Sequence, residues 1–311
     1  MKIDRPVSFS RRIVQAIASG VAIATFLVGS PSHAKDPFRT TNPHEIGDTT
    51  EMAFRVLFEQ GNYQQADRYL DEAEKIDTNE PLVYAMQAAF AYLNEDWDAL
   101  LTYATQTRET AQQLTTKNEL RGHLYTGVGH FLEGAHIIST EGTISGTPKA
   151  LRKLRLVLQH INAAEKINPT DPEVNLIKGF MDLMLAVNLP FAEIDDAIAR
   201  LENYAGPNYL AYRGIAVGYR DTKQNEPALA AVNQALELTP NNPELFYLKA
   251  QILVQQGLEQ KNVTILQQAQ ENFSQALAQA PDKFPAGLKK QLQRESDRNT
   301  RRIQEMSANS R

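Results

Sequence analysis

The chain has 311 residues, 42% hydrophobic and 22% charged, a globular composition with enough apolar side chains to build a buried core. The formal net charge is −5 and there is no cysteine. Disulfides, thiolate catalysis, iron–sulfur clusters, cysteine-ligated zinc and a cysteine-attached lipid anchor therefore lack their ligand, and bulk nucleic-acid binding lacks its basic surface.

Residues 1–34 read as an export signal. Lys2, Arg5, Arg11 and Arg12 precede the apolar run 13–28, and Ser32-His33-Ala34 offers small residues at both positions before a cleavage point. The run is shorter than the ~20 residues of a spanning helix and contains Gln15, Ser19 and Gly20. The expected mature chain starts at Lys35 and is delivered to a periplasm or a thylakoid lumen. The Arg11-Arg12 pair leaves open whether the general or the twin-arginine route is used.

Residues 35–48 form an N-terminal extension, and 49–281 carry a repeated phrase. It reads "IDTNEPL" from Ile76, "INPTDPE" from Ile167 and "LTPNNPE" from Leu238. In the two strong copies one proline stops a helix and the next opens another, where its missing N–H costs nothing. Asp171 or Asn242 before the second proline supplies an N-cap. The strong copies begin 71 residues apart, close to twice a 34-residue period.

Individual residues carry the same period. Tyr212, Ile215, Ala216 and Tyr219 on a first helix are followed by Ala228, Val232, Ala235 and Pro240 on a second. Phe246, Ala250 and Leu253, then Ala269, Phe273, Ala276 and Pro281, repeat the pattern with about seven extra residues, "LEQKNVT", between. Earlier in the chain, "GNYQQA" from Gly61 with Ala73, and Tyr84 and Ala88 with "EDWDAL" from Glu95, give two further units. These positions resemble the Trp-Leu-Gly-Tyr and Ala-Phe-Ala-Pro signature of the tetratricopeptide repeat. The opening "DPFRTTNPHEIGDTTE" is similar to that of a group of secreted cyanobacterial tetratricopeptide proteins, a likeness that implies no activity. The resemblance implies an all-α fold, an α-solenoid of about six helix hairpins with a capping helix over 282–311.

The middle departs from the period. The first and second phrases lie 91 residues apart, about 23 more than two repeats require. The excess falls in 133–153, where Gly134, Gly142 and Gly146 suggest a broken, loop-like insertion and Thr147-Pro148 suggests the start of a new helix. A catalytic lid is one use for such a loop. A unit with helices over 173–187 and 191–204, split at Pro190, follows.

Catalytic signals are sparse. "GTISGTPK" (142–149) has the wrong spacing for a phosphate-binding P-loop, and no G-x-S-x-G elbow is present. His123 and His130 are seven residues apart on one helix, about 10 Å along its axis, too far to share an ion, and His136 lies on another face. No enzyme, cofactor or metal site is expected. By resemblance, the first helix of each pair lines a concave surface that takes a protein or peptide partner. The inward positions are then Ala89, Tyr92, Phe131, Phe180, Leu183, Arg213, Val217, Arg220, Tyr247 and Gln251. Arg213 and Arg220 share a face two turns apart and are expected to hold a partner carboxylate. Charge is uneven, with eight basic and three acidic residues in 283–311. That basic terminus suggests, as an alternative, a weak peripheral contact with anionic lipid.

Overall fold

A computed structural model of the chain describes residues 36–188 and 194–309. The export signal, its cleavage point, Pro190 and Phe191 lie outside these residues. Twelve α-helices and no strand are present among the described residues. They are α1 (Asp48–Phe58), α2 (Tyr63–Ile76), α3 (Pro81–Leu93), α4 (Trp97–Leu114), α5 (Glu119–Ile167), α6 (Pro172–Asn188), α7 (Asp195–Tyr204), α8 (Asn208–Asp221), α9 (Asn225–Leu238), α10 (Pro243–Glu259), α11 (Val263–Lys283) and α12 (Ala286–Asn309).

Local capping chemistry sets many of the starts. Asn62, Asp96, Asn118, Asp171, Asn242 and Asn262 each accept from a backbone N–H of the first turn. Asp171 and Asn242 do so as their place in the repeated phrase predicts. In the weak copy Glu80 takes the role, accepting from Leu82 N at 2.9 Å.

Helices adjacent in the chain pack in pairs: α1 with α2, α3 with α4, α6 with α7, α8 with α9, and α10 with α11. Alanines at the crossings are sealed from solvent, among them Ala66, Ala73, Ala88, Ala228, Ala235, Ala250, Ala269 and Ala276. Small side chains allow helix axes to approach closely, while Ile215, Val232 and Phe273 fill the gaps between neighbours.

The insertion at 133–153 is helical rather than a loop. α5 continues through it, bent once at Gly142, the only residue inside it with non-helical backbone (φ 76°, ψ 169°). That region of backbone space is essentially restricted to glycine. Gly134 and Gly146 stay helical, and at Gly146 the limbs approach closely: a Cβ there would meet the carbonyl oxygen of Ile137 at 3.0 Å. The limbs of α5 face one another, with Lys153 Nζ 2.5 Å from Glu133 and the Ile161 side chain against Gly127. Thr147 does not cap a new helix; its hydroxyl donates back to the carbonyl of Thr143 within the second limb. The expectation of a loop in this segment is thereby corrected: the extra residues lengthen a hairpin. The seven-residue excess at "LEQKNVT" is absorbed in the same way, since α10 runs on to Glu259 and α11 begins at Val263. Pro281 does not stop α11, which runs to Lys283; in the last turn a missing N–H forfeits one bond only, and Phe284 N closes the end on Ala280 O.

Contacts also join helices far apart in sequence. In an open array each repeat touches only its neighbours. Here the Tyr63 hydroxyl at the start of α2 donates to Glu244 of α10, 181 residues away, and the Tyr63 ring meets Phe284 edge-on at 6.0 Å. Gln64 donates to Pro281 O at 3.2 Å. The N-terminal extension ties across the molecule as well, Arg39 holding Asp171 at the head of α6 through two hydrogen bonds of 2.7 and 3.0 Å. Helices from early and late in the described chain are thus in contact.

Candidate binding groove and inner cavity

The inner helices carry two buried arginine centres. In the first, Arg121 of α5 is 1% exposed and reaches two carboxylates. Its Nη1 and Nη2 donate to Glu80 at 2.8 and 2.9 Å, and its Nε donates to Glu173 at 3.0 Å. The Tyr125 hydroxyl, one turn on, donates to Glu173 at 2.7 Å. Burial alone would favour the neutral acid, but Arg121, His44 and Tyr125 outweigh it and hold Glu173 down at about 2. Burial likewise opposes the Arg121 charge, and the two carboxylates more than reverse it.

In the second centre, Arg213 of α8 is 4% exposed and lies 3.3 Å from Glu244 Oε2. Glu244 holds the place in the phrase "NNPE" that Glu173 holds in "TDPE". Alignment is poor: Arg213 Nε and Glu244 Oε2 are both buried without a hydrogen-bond partner among the described residues. Burial therefore dominates, raising Glu244 to about 7 against the opposing pull of Arg213 and Tyr63, and lowering Arg213 below its ordinary value.

Between these centres lies an apolar cavity of about 140 Å³, walled by α1, α3, α5, α6 and α8. Its lining includes Phe54, Met86, Ala89, Phe131, Phe180 and Met184, and Arg213 is its one charged residue among the described residues. Phe180 and Met184 also face a wider, wetter groove of about 550 Å³. Leu183, Val217, Arg220, Lys223 and Gln251 line that groove, with Glu295, Arg298 and Arg302 of α12 forming another wall.

The sequence-derived inward positions are distributed between the two spaces. Ala89, Phe131, Phe180 and Arg213 border the cavity; Phe180, Leu183, Val217, Arg220 and Gln251 border the groove. Arg213 and Arg220 do not act as a pair on one open face. Arg213 turns inward, whereas Arg220 donates to Gln251 at 2.8 Å and pairs with Asp221 at 2.9 Å. Tyr247 is buried against Phe273, centroids 6.1 Å apart, and burial beside Glu295 pushes its phenol above its ordinary value. Tyr92 lines neither space and is stacked edge-on to Trp97 at 5.5 Å in a separate small core with Ala88 and Leu100.

Two features escape the sequence reading. α12 is more than a cap: Leu292 and Asn299 bury its inner face while its charged residues reach the groove. His160, on the second limb of α5, sits between the two histidines of the first, its Nδ1 3.1 Å from that of His123 and its ring 5.9 Å from that of His130. Burial and the two neighbouring imidazoles favour its neutral form. Among the described residues no group of three or more histidines, aspartates or glutamates is arranged to hold a metal ion, and no helix is long and apolar enough to cross a membrane.

Neither a family model nor a curated protein nor a solved structure matches the chain.

Proposed function

We propose that the chain is an exported, non-enzymatic binding protein of tetratricopeptide type, a tightly wound α-solenoid that takes an extended protein segment along the groove between α6, α8, α10 and α12. The observation that carries this reading is the groove itself, which has an apolar floor from Phe180, Leu183 and Val217 and a charged rim from Arg220, Lys223, Arg298 and Arg302. Apolar side chains of a partner have a place to be buried, and basic rim groups favour an acidic segment or a chain terminus. The rim also carries Asp221 and Glu295, so orientation rather than bulk charge is selected. In this reading the basic residues of α12 serve as a groove wall; a peripheral lipid contact has no separate support, since that helix docks on α11 through Leu292 and Asn299.

The test is capture of a partner from a periplasmic or thylakoid-lumen extract by the chain, compared with Arg220→Ala and with Val217→Asp. Loss of the same captured protein in both variants supports the groove. Undiminished capture by both removes it. A separate check on the repeat register is Ala235→Leu, which overpacks a sealed helix crossing and is expected to cost about 1–3 kcal/mol.

A further inference from the structure

The inner cavity poses a problem that the groove does not. It is lined almost entirely by phenylalanine, methionine and aliphatic side chains, yet a buried guanidinium borders it. The contrast is with Arg121, where every nitrogen of the guanidinium donates to a carboxylate. Arg213 has one carboxylate neighbour, in a geometry that leaves Nε and Glu244 Oε2 without hydrogen bonds, while the other Glu244 oxygen is taken by the Tyr63 hydroxyl. A buried donor without an acceptor is costly, and a guanidinium satisfies that need best with a planar carboxylate.

The volume sets the rest of the ligand. An apolar cavity of about 150 Å³ is enough to hold benzene, and this one is about 140 Å³. Phe131 and Phe180 offer ring contacts, and Met86 and Met184 offer adaptable, polarizable ones. A single negative charge suits the site better than a phosphate dianion, because only one guanidinium is present and Glu244 stands 3.3 Å from it. We propose that the inner cavity binds a small monocarboxylate with an apolar body about the size of a benzene ring, its carboxylate paired with Arg213 and its body among Phe131, Phe180, Met86 and Met184. Phe180 and Met184 belong to both spaces, so the cavity adjoins the groove. The proposal is independent of a protein partner and stands or falls without one.

Calorimetric titration of the full chain with phenylacetate and with phenylacetamide tests it directly, since the amide keeps the shape of the acid but is uncharged and replaces one acceptor oxygen with an NH2 group. Phenylacetate is expected to bind about tenfold more tightly or better, the difference one charge-assisted pair makes. Arg213→Met should erase that preference, and Ala89→Phe, which fills the cavity, should abolish both titrations while leaving the circular dichroism of the fold in place. Methyl resonances of Met86 and Met184 should move with phenylacetate in the unmodified chain. Equal binding of acid and amide, absence of saturable phenylacetate binding up to millimolar concentrations, or methyl shifts confined to methionines outside the cavity would each overturn the proposal. The acid–amide comparison needs no variant, so it decides the matter even if Arg213→Met does not fold.

Discussion

Arg121 and Arg213 occupy corresponding roles in two parts of the molecule and end in opposite states. Each lies on an inner helix, each is buried, and each meets the glutamate of a repeated Pro-Glu step, Glu173 or Glu244. Around Arg121 the chain supplies a second carboxylate, Glu80, and Arg39 from the N-terminal extension lies 3.8 Å from Glu173. Around Arg213 it supplies only Glu244 and the hydroxyl of Tyr63. The same phrase thus gives one carboxylate held near 2 and another raised to about 7. A buried ion pair is worth little unless its hydrogen bonds are complete. The Arg121 centre is a structural tie; the Arg213 centre keeps a donor unused beside an apolar wall.

The largest expected effect follows from removing the tie. Arg121→Met leaves Glu80 and Glu173 buried without their cation and should cost roughly 3–5 kcal/mol in urea unfolding. Arg213→Met should cost much less, about 1–2 kcal/mol, because Glu244 already titrates near neutrality and, without the cation, takes up its proton instead of leaving a buried unpaired charge. Equal losses would erase the distinction between the centres.

The next effect is a pH dependence of opposite sign. Glu173 titrates lower in the folded chain than its ordinary 4.5, so its contribution is present above about 4.5 and is lost as pH falls toward 2. Glu244 titrates higher, so its contribution is full below about 4.5 and is lost as pH rises through about 7. The second contribution amounts to roughly 3 kcal/mol at most. Urea unfolding from pH 4.5 to 8 should therefore show a falling component that disappears in Glu244→Gln. A slope unchanged by that substitution contradicts the assignment. His160 adds a smaller component of the other sign, because its neutral form is favoured in the fold and the unfolded chain protonates first as pH drops below about 6.5. His160→Gln should remove it.

The smallest effect belongs to the groove. Arg220 is partly exposed and hydrogen-bonded at the surface, so Arg220→Ala should change stability by less than about 1 kcal/mol. A larger loss would place it with the structural arginines.

Short-range features were legible in the sequence. The caps at Asp171 and Asn242 follow from a proline and a polar residue side by side, and the sealed alanines follow from the period. Glycine content misled at 133–153, because glycine permits both a bend and the close approach of two helix limbs, and only Gly142 uses it for a bend. The fate of Arg213 was not legible, since its surroundings depend on Tyr63 reaching Glu244 across 181 residues. Seven-residue spacing puts Arg213 and Arg220 on one helix face, but Glu244 and the start of α2 bury Arg213, whereas Arg220 reaches Gln251 at the groove. His160 was missed for a similar reason: its neighbours His123 and His130 are 37 and 30 residues away, across a bend that periodicity does not announce.

The most direct test of the contrast is a carbon-detected carboxyl titration of the folded chain, with Glu173→Gln and Glu244→Gln used to assign the two signals. The account predicts that the Glu244 signal titrates near 7 and that the Glu173 signal remains ionised down to the acid limit of the fold. A Glu244 midpoint at or below about 4.5, the ordinary value for this side chain, would mean that Arg213 is fully paired and would contradict the account.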